Sequence, residues 1–496
     1  MPTLTSPPRW RLCRVTRGVD PKATSSSLLD SWQDLEAHES RLGVEAGSPF
    51  LLRPDGSPDR DVVAYCNSVA FKRLATGSRE SYAADLKTFL TYLETQGVDW
   101  RHATPDDLSN YEYWRRKDPD NPQRISAAKL SRELAALTHF YSWQRRRGAT
   151  QTDPIERQPR RTRDGQITDG VKLQPRNVRS VRVKWLTPRA YRRWRDVGLG
   201  GYGASGVRDE SWRGRNDGRN MAFADFLWAS GLRLREGGTV LVAELPAVEA
   251  SDRYVRGKVA EAVTKGGHGR EYWVSRQALE RVDAYRQTTR REAVWRANRE
   301  GRYDSIPDRL EVLSSSPTGQ LLVRDPAGEE IETHVSHLTA ADRLRLLTRS
   351  DESWEPASLW LTESGLPMPY LTWEAVFSSA NRRCESQGVQ LRCHPHMLRH
   401  SFALRMLVTL FHAFDRRLGL SEEERRDYRL MFGDPWVLVQ TMLGHTNVAT
   451  TRAHYLEPVQ GLQVDLFLND DLDTESVDGL LAKVAAASPL VKDVDG

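Results

Sequence analysis

The chain is poor in cysteine. Four residues (Cys13, Cys66, Cys384 and Cys393) in a length of 496 make no disulfide framework, and they fit a reducing compartment. Long apolar runs are also missing. Nothing approaches the ~18 residues of a spanning helix, and the start, with Pro2, Pro7 and Pro8, has no stretch of signal-peptide type. A cytoplasmic protein with no membrane partner is therefore expected. No internal repeat or low-complexity tract occurs. Net charge is nearly absent too, at +5, and its distribution says more than its sum. Residues 145–195 hold 16 Lys/Arg against 4 Asp/Glu, whereas 462–496 hold 2 against 8. A basic middle and an acidic tail point to a segment that faces nucleic acid and a separate solvated or docking tail.

What the chain does have is enough apolar sequence, 39 % of residues, for cores in two to four domains of roughly 100–200 residues. Residues 1–57 carry no clear pattern beyond a short helix opening near Ser31. From 58 to 148 the pattern is helical. Tyr82, Leu86, Phe89, Leu90 and Leu93 share one face, with Ser78 as the expected N-cap and Gly97 as the stop. Thr104-Pro105-Asp106-Asp107 reads as a cap, a proline at the first helical position and two acids in the first turn. Leu130, Leu134, Leu137 and Tyr141 mark another helix, which ends in Arg145-Arg146-Arg147-Gly148. Residues 149–184, rich in proline and arginine (Arg160, Arg161 and Arg163 among them), read as a basic linker suited to a phosphate backbone.

A new domain starts at Thr187-Pro188. A buried helix is expected from Met221 to Leu234, and a small sheet with a Gly266-Gly267-His268-Gly269 turn between Tyr254 and Ser275. Residues 300–355 are polar and irregular, which marks an insertion. Helices return at Phe402–Phe414 and Trp436–Leu443.

Chemistry concentrates late in the chain, in His396-Met397-Leu398-Arg399-His400, Leu443-Gly444-His445 and Tyr455. Arginine presents a planar fork of donors to a phosphate. Histidine moves protons near neutral pH, and tyrosine attacks covalently once a base and a charge clamp assist it. Arg233, in Ser230-Gly231-Leu232-Arg233, and Lys265, in Thr264-Lys265-Gly266-Gly267, extend the set upstream. Cys384, Cys393, His394 and His396 fit no common zinc-finger spacing, so no metal is expected.

In this order, the motifs resemble the catalytic domain of the tyrosine recombinases, the phage integrase family, over roughly residues 58–460. Val439 to His445 and Thr450-Thr451 are similar to the family's lead-in to its tyrosine. The resemblance implies a mainly α fold with a small antiparallel β-sheet. A helical SAM-like core-binding domain (58–148) would precede, through the linker 149–184, an integrase domain (185–460). Insertions would lie near 290–355 and 411–435, with an N-terminal extension (1–57) and an acidic tail (461–496) at the ends.

The resemblance also implies roles. Arg233 and Arg399 would clamp the scissile phosphate, and Tyr455 would form a 3′-phosphotyrosine. Lys265 would protonate the leaving 5′-oxygen, His396 would act as base, and His445 would bond a non-bridging oxygen. Glu236 and His400 would support them. No cofactor or metal is implied. The partners would be double-stranded DNA, contacted through Arg145, Arg146, Arg147, Arg160, Arg161 and Arg163, three further protomers in a tetramer on synapsed DNA, and accessory recombination proteins. Leu480, Leu481, Val484 and Leu490 would pack on a neighbouring protomer. The interval from His445 to Tyr455 is one residue longer than is usual in the family. Integration or transposition of a mobile element is the expected role. A type IB topoisomerase and a DNA-binding regulator with a degenerate site are the rival readings.

Overall fold

The computed structural model describes residues 9–16, 41, 45–150, 152–161, 167–175, 185–247, 253–350, 353–416, 435–444, 477–488 and 490–494. His445, Tyr455, Arg163 and the segment near Ser31 lie outside them, as does most of 411–435. The chain divides into two compact units, residues 1–181 and 182–496.

In the first unit, β1 (Arg11–Arg14) pairs antiparallel with β2 (Pro49–Leu52). Five helices follow: α1 (Arg60–Cys66), α2 (Val69–Lys72), α3 (Thr76–Thr95), α4 (Pro105–Arg116) and α5 (Ala127–Arg146). Leu86, Phe89, Leu90 and Leu93 of α3 and Leu130, Leu134, Leu137 and Tyr141 of α5 are buried in one cluster. Each such side chain contributes roughly 1.5–3 kcal/mol. Thr104 and Asp107 form a reciprocal capping box at α4, with Pro105 at the first turn. Ser78 is not a cap. The turn that closes α2, from Leu74 N–H to the Phe71 carbonyl, leads straight into α3, whose N-cap is Ala75.

Within 149–184 the described residues include two paired strands. These are β3 (Arg157–Arg161) and β4 (Ile167–Val171), which form an antiparallel hairpin. Ile155 is buried in the helical core, and Val171 and Leu173 pack against it. Those sparse apolar residues hold the basic hairpin down.

The second unit starts with β5 (Trp185–Leu186) and α6 (Pro188–Gly198), capped by the Thr187 hydroxyl. The apolar stretch from Met221 is two helices, α7 (Asp217–Ser230) and α8 (Leu234–Gly238). Gly231 separates them with φ +64°, and a Cβ there would meet Phe402 at 2.3 Å. Only glycine takes that backbone against that ring.

The hairpin of β6 (Tyr254–Val259) and β7 (Arg270–Ser275) is antiparallel. Its first strand ends at Val259, because Glu261–Val263 is a short 3₁₀ turn. Then come α9 (Arg276–Tyr285) and α10 (Arg291–Arg299). The region read as irregular holds a five-stranded sheet in the order β10-β9-β8-β11-β12. Its strands are β8 (Leu310–Ser315), β9 (Gln320–Arg324), β10 (Glu330–His334), β11 (Leu346–Ser350) and β12 (Ser353–Pro356), with α11 (Ala340–Arg345) inserted. Its apolar content is low because one face packs on Leu321, Val323, Leu338 and Leu346, while the other is covered at β11–β12, where Leu347 is buried with Ala297 and Tyr303. One pair, β8–β11, is parallel, so the fold is mainly helical but the sheet content exceeds one small antiparallel sheet.

Last come α12 (Thr372–Ser386), α13 (Pro395–Arg416), α14 (Pro435–Leu443), α15 (Val477–Ala487) and β13 (Val491–Lys492). The described residues of the expected tail, 477–488 and 490–494, are packed. Leu480, Leu481 and Val484 are buried with Phe402, Leu407, Trp436 and Val439 of the same chain, and β13 pairs parallel with β5. The apolar face expected on a neighbouring protomer is covered within the chain, since α13 and α14 leave an apolar surface open beside it.

Candidate active site

The site forms where α8, the β6–β7 hairpin, α13 and the end of α14 meet. At its centre lies Glu236, whose side chain is 0 % exposed. The Arg233 backbone N–H donates to its Oε2 (2.9 Å), and Arg233 Nη1 donates to Oε1 (2.8 Å). Arg270 Nη2 donates to Oε2 at 2.6 Å, and Arg399 Nη1 lies 3.9 Å from the same oxygen. Burial alone would raise the Glu236 carboxyl. Arg270, Arg399 and Arg233 outweigh it and hold the group below its ordinary value. A buried carboxylate therefore orders three guanidiniums.

The three differ in what else they do. Arg233 keeps an open edge, with 26 % of its side chain exposed. Arg399 is 1 % exposed. It donates to the Gly231 carbonyl (2.7 Å) and to the Leu443 carbonyl. The left-handed turn at Gly231 is what aims that carbonyl at Arg399. Arg270 donates to the Met442 carbonyl at 2.9 Å. Two carbonyls at the end of α14, which have no partner within the helix, are thus taken by arginines from elsewhere in the fold.

Lys265 sits exposed in the β6–β7 loop. His396 is exposed near the start of α13, and His400 is buried one turn on. Their ring centroids are 4.2 Å apart in an edge-on arrangement, and His400 also meets the Trp185 ring edge-on at 6.5 Å. The Met397 N–H donates to His394 Nδ1 (3.2 Å), so His394 ties down the start of α13. Burial pushes the Cys384 thiol up to about 12 and the Cys393 thiol well above its usual value. Among the described residues no three His, Cys, Asp or Glu side chains gather as for a metal.

The structure thus brings Arg233, Glu236 and Arg399 together. Arg270 is the residue the sequence reading missed. Its one signal was a lone arginine opening the strand after a glycine-rich turn. In the first unit Arg145, Arg146 and Arg147 are exposed at the end of α5, and Arg147 lies over the Trp143 ring at 4.5 Å. Arg160 and Arg161 lie on β3.

Residues 64–148 match the family model described as "Phage integrase, N-terminal SAM-like domain". The helical unit is a phage integrase SAM-like domain. Over 83 residues the chain is 31 % identical to a protein named as a tyrosine recombinase, TTE1313, of Caldanaerobacter subterraneus subsp. tengcongensis. That match covers 17 % of this chain and 27 % of the relative, so the chain spans about a quarter of the relative's length. The likeness to a tyrosine recombinase is carried by the residues of the SAM-like domain.

Among solved structures it is similar to the XerH site-specific recombinase bound to palindromic difH substrate in a post-cleavage complex. The TM-score is 0.45 at 12 % identity, over 90 % of this chain and 93 % of that one. The Tn1549 transposon integrase in complex with circular intermediate DNA gives 0.41 at 11 % identity, over 79 % and 93 %. No helix among the described residues is long and apolar enough to cross a membrane.

Proposed function

We propose that this chain is a site-specific DNA recombinase that cuts and rejoins strands through a tyrosine. The observation that carries the reading is the buried Glu236 with Arg233, Arg270 and Arg399 around it, beside a loop that exposes Lys265. A phosphodiester anion fits such a cluster, and guanidiniums stabilise the charge that develops on a pentacoordinate phosphorus.

In the step we infer, the Tyr455 hydroxyl oxygen bonds to phosphorus and gives its proton to His396. The bond from phosphorus to the 5′-oxygen breaks, and Lys265 gives that oxygen a proton. The products are a 3′-phosphotyrosine and a free 5′-hydroxyl. The reverse step on another strand needs no external energy source, since the phosphoester bond is conserved. Arg399 already donates to the Leu443 carbonyl, so its grip on a phosphate replaces that carbonyl. His445 follows immediately on the same segment and takes a non-bridging oxygen.

The reading assigns DNA binding to the SAM-like domain, with Arg145, Arg146 and Arg147, and to the basic stretch that holds Arg160, Arg161 and Arg163. Two duplexes with two cuts each require four protomers. A mobile element, with accessory recombination proteins, is the setting we infer.

A nicked suicide duplex tests the chemistry. The wild type should trap a covalent protein–DNA complex that survives denaturation, and Tyr455→Phe should trap none. A covalent complex formed by Tyr455→Phe would remove Tyr455 as the nucleophile, and none from the wild type on any supplied site would remove the recombinase reading.

A further inference from the structure

Arg270 is the member of the cluster to which no role has been given. It opens β7, five positions after Lys265, and faces Val259 across the hairpin. Its side chain is 11 % exposed and reaches beyond the hairpin. One end of the guanidinium meets Glu236 Oε2 at 2.6 Å, and the other meets the Met442 carbonyl at 2.9 Å. Nη1 also lies 3.3 Å from the carbonyl of Glu271.

The passage it threads is tight. A Cβ on Gly444 would stand 2.3 Å from Arg270 Cδ and 2.7 Å from Nε. Gly444 itself adopts φ +63°. The glycine is thus required twice, by its backbone and by the arginine that lies on it. Burial pulls the guanidinium below its ordinary value, and the Glu236 carboxylate opposes that. A guanidinium held there against burial is fixed in place by its partners.

We propose that Arg270 is a positioning residue. It pins the base of the Lys265 loop to Glu236 and to the end of α14, so that Lys265 keeps its place beside the arginine clamp. This rests on the recombinase reading. Lysine cannot replace it, because a point charge on one stem does not bridge a carboxylate and a carbonyl on opposite sides. Displacing a reacting group by about 1 Å costs on the order of 100-fold in rate.

The experiment is single-turnover cleavage by the full chain, on a normal duplex and on one whose scissile 5′-oxygen is replaced by sulfur. A thiolate leaves without a proton, so the sulfur substrate does not need the general acid. Arg270→Lys and Arg270→Gln should slow the normal substrate by about 100-fold. Most of that loss should disappear on the sulfur substrate, as it should for Lys265→Ala. Arg233→Ala, which removes a clamp residue, should stay slow on both.

Unfolding midpoints of the variants report folding separately. A loss equal on the two substrates, with or without unfolding, overturns the positioning role, as does normal cleavage by Arg270→Gln. Absence of cleavage by the wild type on the sulfur substrate would instead count against the recombinase reading itself.

Discussion

Glu236 is the residue on which the site turns, and its protonation has a definite sign. Its folded-state value is depressed, so it contributes stability above its unfolded value near 4.5 and loses that contribution as pH falls through the folded value. Glu236→Gln should therefore cost about 3–5 kcal/mol near neutral pH, as expected when a buried ion pair loses one partner. The gap between the two proteins should close on acidification below that unfolded value. Denaturant titrations of both proteins across pH measure it, and a gap that widens in acid would contradict the assignment. Gly231 offers an independent check. Gly231→Ala places a Cβ 2.3 Å from the Phe402 ring in a left-handed backbone. It should lower the stability of the second unit by about 1–3 kcal/mol and tilt the carbonyl that Arg399 uses. An unfolding midpoint unchanged from wild type would mean that the ring moves aside freely.

Elements were legible to the degree that they carry their own period. The helices of the SAM-like domain have a repeating apolar face and explicit caps, so their existence followed from local rules. The break at Gly231 was harder, because a Gly inside an apolar run gives no sign of its φ. The five-stranded sheet was missed for a different reason. Its second face is covered only at β11–β12, by Ala297 and Tyr303, and β10 is mostly exposed, so polarity there was read as irregularity. The apolar face of α15 was legible, but which surface covers Leu480, Leu481 and Val484 was not. Those leucines fill a core in the same chain. Leu481→Ala should cost about 2–5 kcal/mol as a cavity mutation, read as a drop in the denaturation midpoint. Wild-type stability in that variant would mean that α15 is not packed where the structure has it.

At the scale of the whole molecule the chain has two units, with a SAM-like domain in the first and the arginine-ringed carboxylate in the second. If the basic end of α5 contacts phosphates, Arg146→Ala should weaken DNA binding uniformly across sequences. It should also reduce the slope of log affinity against log salt by about 1. A slope equal to wild type in fluorescence anisotropy would place Arg146 off the DNA. Sequence alone determined the helical domain and the order of Arg233, Lys265, His396 and Arg399 along the chain. Those depend on local periodicity, caps and residue types, which each stretch carries in itself. Only the tertiary structure decided that Arg270 joins the cluster, that Gly444 must be bare, and that Leu480, Leu481 and Val484 fill the chain's own core. Each depends on which surfaces meet across many residues of chain, here a strand with the end of a helix 172 positions later. Local pattern holds no information about that meeting. Burial and hydrogen-bond satisfaction in the assembled fold decide it.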